Sequence, residues 1–465
     1  MSSYLNKQAP PPPPPRASGS SATVAPPPPP TSSSSGGGTS AESPARTTTR
    51  PSHRHKQSVH YNDAPDLSAA SPSSTTATGE RTRPNRVSRV PALAAIPTSS
   101  PSASSTTNSV RPLDSNATIL PAFNAPPAPP PDPIKHSRAG PRSLPFDVTQ
   151  FPPSSITTKL VVVFVPGNPG LVEYYDPFLT ALRDALPTEF KESTEMYSIG
   201  HLGHSLDAER DGKVTGFKPH EQATLEEQVD SKIEFVDQLA SKYGKDVKIM
   251  IMGHSIGSWI CLQMLKQRPN LISSAHLLFP TISSMSLTPN GRKLSPLFSS
   301  WTLRPLFYST SFLSYLPTKV VNSLVGLLTG QTDASNQPSG SGSGAATTTT
   351  RLVSSPQTVI AAITMAQKEM QHVKDIDREL LSNRSLVGDI CWWYWAEPGR
   401  DGWVLEDSIR EIEEALGDDE DLRKRRERCR EGMPHAFVLD RDHTLSLARK
   451  CAGWIVKDLE ESRGN

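Results

Sequence analysis

Cysteine is scarce in this 465-residue chain: Cys261, Cys391, Cys429 and Cys451 are the only four, too widely spaced for a zinc or disulfide pattern. That scarcity suits a reducing compartment. An excess of one charge is missing too, with 48 Lys and Arg against 47 Asp and Glu, which argues against a dedicated nucleic-acid binder. No basic segment followed by an apolar one stands at the start, so nothing in it directs the chain to secretion. Aromatic residues are nearly absent from the first third. A segment without them cannot bury enough apolar surface to offset its chain entropy.

Proline is abundant but unevenly placed, 31 of 46 falling before residue 155. Two runs, "PPPPPPR" from Pro10 and "PPPPP" from Pro26, precede "TSSSSGGGTS" and further Ser/Thr tracts. Residues 1–155 are therefore expected to form a disordered tail with polyproline II bias. Over residues 1–150, 14 Lys and Arg face seven Asp and Glu. Solvated tail is the plain reading; docking of Pro-binding domains, or weak attraction of a mildly basic tail to an anionic membrane or nucleic acid, are the alternatives.

Residues 156–465 suffice for one large domain. Leu160 to Val165 is a continuous apolar, β-branched run, as expected of a parallel strand covered on both faces. It ends in the turn Pro166-Gly167-Asn168-Pro169-Gly170. A helix follows with Tyr174, Phe178, Leu182 and Leu186 at spacings of four, stopped by Pro187. A short strand is expected near Met196 to Ile199, then a loop carrying His201 and His204. Thr224 and Glu227 read as a capping box opening an amphipathic helix. Further strands at Val247 to Met252, "AHLLFPT" and "DICWWYWAE" alternate with helices, which predicts an α/β fold: a mostly parallel sheet with helices on both faces. His276 reads as a core or strand-end histidine, and "DDEDLRKRRERCR" as a solvated helix or loop.

Between about 283 and 355 the pattern changes. "SPLFSSWTLRPLFYSTSFLSYLPTKVVNSLVGLLTG" is apolar and aromatic but broken by Arg304, Pro305, Pro317 and Lys319, so it makes a poor membrane-spanning helix. "NQPSGSGSGAATTTT" reads as a flexible tract. The block is expected to be an insertion or lid, and its aromatic density favours an apolar surface resting on a lipid interface.

Gly253-His254-Ser255-Ile256-Gly257 matches G-x-S-x-G, with an apolar strand before it and an apolar helix after it. The serine must sit on a strained turn, and only glycines two residues away leave it room. A serine hydroxyl needs a base and a carboxylate to orient that base. The order expected in such a fold is Ser, then an acid after a later strand, then His before the last helix. Asp401 in "EPGRDGWV" and His435 in "GMPHAF" stand at those places. Glu397 competes for the acid from the strand edge and His443 for the base from the start of the last helix. His201, His204 and His254 break the order, and His254 reads as packing beside the elbow. The developing oxyanion needs two backbone N–H donors. Ile256 supplies one; since Pro166 and Pro169 have none, the other falls to Gly167 or Asn168, of which Asn168 is preferred.

"VVVFVPGNPGLVEYYDPFL", "LEEQVDSKIEFV", "MGHSIGSWICLQML", "LLFPTISSMSLTPNGRKL" and "PHAFVL", in that order, resemble the lipid droplet-associated hydrolases of the α/β-hydrolase superfamily. The resemblance runs from about Leu160 onward and excludes the tail. It implies a hydrolase of sterol or acylglycerol esters acting at the lipid droplet, or at an endoplasmic reticulum monolayer, on the cytosolic side. It implies a role in lipid storage and turnover, with Ser255, Asp401 and His435 as the triad and no metal or organic cofactor. The acid loop departs from the family's more compact one but keeps an Asp-x-Trp spacing as Asp401-Gly402-Trp403. An interaction protein with little hydrolysis and an acyltransferase using the same triad are the competing expectations.

Overall fold

A strand covered by helices on both faces has no polar side to show water. Leu160 to Val165 meets that condition, all six residues being buried. The structure, a computed structural model, describes residues 131–155, 157–329 and 344–464. Its strands are Ile134–Ala139 (β1), Pro145–Phe151 (β2), Leu160–Val165 (β3), Thr194–Ile199 (β4), Lys248–His254 (β5), Ile272–Leu278 (β6), Cys391–Trp395 (β7) and Arg426–Arg428 (β8). They make one sheet in the order β1-β2-β4-β3-β5-β6-β7-β8. The β1/β2 and β2/β4 pairs are antiparallel and the other five are parallel. This is the α/β-hydrolase fold.

The helices that matter for the site are Asp176–Ala185 (α1), Leu225–Tyr243 (α2), Ile256–Gln267 (α3), Leu303–Ser314 (α4), Thr318–Thr329 (α5), Ala345–Val353 (α6), Pro356–His372 (α7), Glu406–Leu416 (α8) and Arg441–Gly464 (α9). The period-two alternation of β3 divides the core. Val161, Val163 and Val165 pack with Val229, Ile233, Ile260 and Ile409 from α2, α3 and α8. Leu160, Val162 and Phe164 pack with Phe178, Leu447 and Ile455 from α1 and α9. Each large apolar side chain so buried stabilises the fold by roughly 1.5–3 kcal/mol. The capping box of α2 forms as its sequence predicts, with both reciprocal bonds between Thr224 and Glu227 present.

Three expectations need correction. The sheet begins well before residue 156, because Phe146, Val148 and Phe151 of β2 bury themselves against it and β1 zips onto β2. The surrounding Pro/Ser composition conceals that short pattern. The rest of the expected tail, residues 1–130, lies outside the described residues, as does the stretch 330–343. Ala345 to Thr350 is helical rather than a flexible tract: Thr348 and Thr350 are buried, and the hydroxyls of Thr349 and Tyr174 pair at 2.9 Å. In the run "DDEDLRKRRERCR", Arg426 to Arg428 forms the edge strand β8 beside β7. Arg425 and Arg428 stack over Trp392 and Trp395, burying stems that read as solvated charge.

The insertion is tied to the sheet by charge. Arg351 of α6 and Lys135 of β1 converge on Glu173 and Asp207, Lys135 at 2.6 and 2.7 Å and Arg351 at 3.5 and 2.7 Å. Farther out, Trp301, Tyr308, Phe312, Tyr315 and Leu327 are exposed, Tyr315 to 86%. Among the described residues no helix is long and apolar enough to cross a membrane.

Candidate active site

The strand β5 runs buried through Gly253 to His254, and α3 begins at the buried Ile256. Ser255 lies between them at φ 56° and ψ −125°, a conformation that costs a non-glycine residue energy and that only firm surroundings maintain. The two glycines are required by contact. A β-carbon at 253 would lie 2.4 Å from the Gly257 carbonyl oxygen, and one at 257 would lie 2.2 Å from that of Val165. The sharp turn leaves Ser255 partly exposed between buried neighbours.

Asp401 and His435, 146 and 180 residues along the chain from Ser255, meet it in space. The Ser255 hydroxyl donates to His435 Nε2 at 2.9 Å, and His435 Nδ1–H donates to Asp401 Oδ2 at 2.8 Å. Asp401 Oδ1 accepts the N–H of Trp403 at 2.7 Å, so the carboxylate is fixed from both sides. The Thr281 hydroxyl stands 3.5 Å from Ser255 Oγ. Such a relay can take the proton from a serine as it attacks a carbonyl carbon and hand it to a leaving group.

The rivals lie elsewhere. Glu397 faces Arg400 at 3.9 Å on the surface. His443 sits in the first turn of α9, its N–H donating to Asp440. His201 and His204 pack beneath the 166–170 turn, where His204 Nδ1–H donates to the Pro169 carbonyl and a β-carbon on Gly170 would strike the His201 ring at 2.4 Å. Burial lowers the His204 imidazole to about 4.

The turn after β3 crosses directly over the elbow, for a β-carbon on Gly167 would lie 2.9 Å from Ser255 Cβ. The Gly167 N–H is occupied, donating to the Tyr175 hydroxyl at 3.0 Å. That leaves the N–H of Asn168 on this turn, beside that of Ile256 at the first residue of α3. Asn168 is held by its own side chain, whose Nδ2 donates to the Ala362 carbonyl at 3.0 Å and to Glu369 Oε1 at 2.9 Å, both on α7. Burial raises the Glu369 carboxyl to about 7, against the opposing bond from Asn168.

Besides Glu369, three supporting residues escape the sequence reading. Tyr175 passes on the bond it receives: its hydroxyl donates to His254 Nδ1 at 2.7 Å, and His254 Nε2–H donates to the His435 carbonyl at 2.9 Å. His254 thus does more than pack beside the elbow, since it holds the backbone of the imidazole-bearing loop. Burial first, and His435 second, keep it neutral by lowering it far below the usual histidine range. The third is Asn290, from the "TPNG" segment. Its N–H donates to the Gly402 carbonyl at 2.8 Å, and a β-carbon on Gly402 would sit 2.5 Å from its Nδ2. A buried tyrosine hydroxyl needs a partner, which was the available signal for Tyr175; nothing local marks Asn290.

Comparison with known proteins finds relatives of the chain. The profile of the family described as "Lipid-droplet associated hydrolase" matches residues 158–438. The chain is similar to the "Lipid droplet-associated hydrolase" of Gallus gallus, 29% identical over 306 residues, covering 65% of this chain and 86% of that one. It is 38% identical over 167 residues to the protein of the same name from Homo sapiens, covering 34% of this chain and 48% of that one, about half the human protein's length. Among solved structures, the peroxisomal alpha-beta-hydrolase Lpx1 of Saccharomyces cerevisiae aligns with a TM-score of 0.44 at 14% identity, covering 70% of this chain and 89% of that one.

Proposed function

The chain belongs to the lipid-droplet associated hydrolase family, and from that premise we propose that it is a serine-dependent hydrolase of carboxylic esters, acting on neutral lipids at a lipid surface. The observation that carries the reading is the unbroken relay from Ser255 through His435 to Asp401. Ser255 Oγ attacks the ester carbonyl as its proton passes to His435 Nε2. Asp401 keeps the imidazole in the Nδ1–H tautomer and steadies the imidazolium that forms. The N–H groups of Ile256 and Asn168 receive the negative oxygen, each such donor being worth roughly 3 kcal/mol of transition-state stabilisation. His435 returns the proton to the leaving alcohol, and water, activated by the same imidazole, releases the acid and frees Ser255.

The exposed aromatic face of the insertion supports a substrate met at an interface. Trp301, Tyr308, Phe312 and Tyr315 leave a large apolar surface uncovered, and Trp and Tyr favour the boundary between lipid and water. The names of the relatives agree with a lipid droplet as that surface. A fluorophosphonate probe tests the chemistry: wild type takes the label and Ser255→Ala does not. Folded wild-type protein that stays unlabelled would sink the hydrolase in favour of a binding role. Product analysis on a mixed emulsion of sterol esters and acylglycerols, with and without an added alcohol, then distinguishes hydrolysis from acyl transfer.

A further inference from the structure

A cleft of about 590 Å³ opens between the start of α4, the segment 217–224 and one face of α7. None of Ser255, Asp401 or His435 lines it, so it is separate from the triad. Arg142, Arg304, Lys368 and His220 do line it, and no Asp or Glu is among its lining residues. Arg142 is paired with Glu227 beyond the rim. Lys368 Nζ donates only to the backbone carbonyls of Gln222 and Ala223, at 3.0 and 2.7 Å. Arg304 lies over the Phe217 ring at 5.9 Å. Neither Lys368 nor Arg304 has a carboxylate at ion-pair distance among the described residues.

The α7 wall is a strip of donors. Thr364, Gln367 and Lys368 lie within one turn and share a face. Thr364 Oγ1 and Gln367 Nε2 are sealed from water without a partner, and Thr364 is only 6% exposed. Buried polar atoms without partners are rare and call for an explanation. Lys368 feels Glu227 and Glu226 only beyond ion-pair distance, and two cations without a carboxylate at that distance, in a cleft whose lining holds no Asp or Glu, are complementary to an anion rich in oxygen acceptors.

The setting says where that anion comes from. Trp301 lines the same cleft and is 73% exposed. Arg304, Tyr308 and Phe312 recur every fourth residue on the exposed face of α4. If that aromatic face lies on lipid, Trp301 and Arg304 stand at headgroup level and the cleft opens at the depth of the phosphates. We propose that the cleft takes the phosphate of an anionic phospholipid, anchoring the root of the insertion to the surface on which the ester is met. The inference rests on the lipid-surface reading above and adds a headgroup preference to it.

The test is flotation of the full chain with triolein emulsions coated either with phosphatidylcholine alone or with phosphatidylcholine plus phosphatidic acid. The variants are Lys368→Met and the exposed Arg304→Gln, each used once its melting curve matches that of wild type. Wild type should partition about tenfold or more in favour of the anionic coat. Each variant should lose about fivefold of that preference while floating with the neutral coat as wild type does. Equal partition of wild type between the coats overturns the inference and leaves the lipid-surface reading standing, whereas failure to float with either overturns both. A preference retained in both variants means diffuse attraction and refutes the cleft. Inorganic phosphate that raises the melting temperature of wild type but not of Lys368→Met, without any preference between coats, assigns the cleft to a soluble anion and also refutes it.

Discussion

Replacing Tyr175 by Phe removes one oxygen and no carbon, so ring packing against Phe164 and His254 is retained while two buried bonds are lost. The Gly167 N–H loses its acceptor and His254 Nδ1 its donor. His254 cannot answer by moving its proton, because Nε2–H is already committed to the His435 carbonyl. Nor does mild acid help, since burial holds the ring neutral. A buried polar group left unpaired costs about 1–3 kcal/mol, so the two together cost about 3 kcal/mol. At roughly 2 °C per kcal/mol for a domain of this size, the melting temperature falls by about 6 °C.

The kinetic consequence is separate. The same hydroxyl joins the turn bearing Asn168 to the elbow, and through His254 to the loop bearing His435. Losing it loosens two parts of the machinery and leaves the ester-binding surface intact. Loss of one oxyanion donor costs about 100-fold or more in kcat, so a donor that is loosened rather than lost predicts about tenfold, with little change in KM. Differential scanning fluorimetry and turnover of a soluble p-nitrophenyl ester supply both numbers. A variant that melts within 1 °C of wild type and turns over within twofold would refute this account of the second layer.

Asp401→Asn should lower kcat by about 10⁴ with KM nearly unchanged, because the amide favours the wrong imidazole tautomer; a loss below tenfold would reassign the acid. Gly402→Ala forces a β-carbon onto the Asn290 amide and should reduce kcat through the displaced acid loop, an effect that Asn290→Ala in the same chain partly relieves. Glu369 titrates above its ordinary 4.5, at about 7, chiefly through burial. Its stabilising contribution is therefore complete below about pH 4.5 and is lost as pH rises through about 7. Glu369→Gln keeps an acceptor for Asn168 and removes that slope, so its stability relative to wild type should rise by about 3 kcal/mol between pH 5 and pH 8. Parallel slopes in chemical denaturation would contradict the assignment.

Much of the fold was legible because its signals are local. Leu160 to Val165 reads as a covered strand from six residues alone, and Thr224 with Glu227 as a helix start from four. The elbow is equally local, since the clash at Gly257 follows from how a strand meets a helix. Chain order, a property of the topology rather than of their neighbours, is what singles out Asp401 and His435. The failures share a cause. The strands β1 and β2 hide in a Pro/Ser-rich background, Ala345 to Thr350 contradicts its own helix propensity, and Arg426 to Arg428 carries too much charge to read as a strand. In each case partners distant in sequence decide the outcome: the sheet edge for β1 and β2, Tyr174 for Thr349, and the aromatic rings of β7 for the arginines.

The second layer of the site is nonlocal in the same sense, and α7 illustrates why. Its Ala362 carbonyl and Glu369 carboxyl hold Asn168, while Thr364, Gln367 and Lys368 line the cleft at the root of the insertion. One helix therefore presents one set of residues to the turn bearing Asn168 and another to the segment that exposes Trp301. Read as a sequence, "VIAAITMAQKEMQHV" is an ordinary amphipathic helix, because both sets of polar residues resemble solvent-facing positions. Their meaning comes from what lies opposite: an asparagine 194 and 201 residues earlier for the first set, and Arg304 for the second. Displacing α7 would disturb both at once, so a perturbation at the root of the insertion can reach the Asn168 turn through a single rigid element without contact with Ser255.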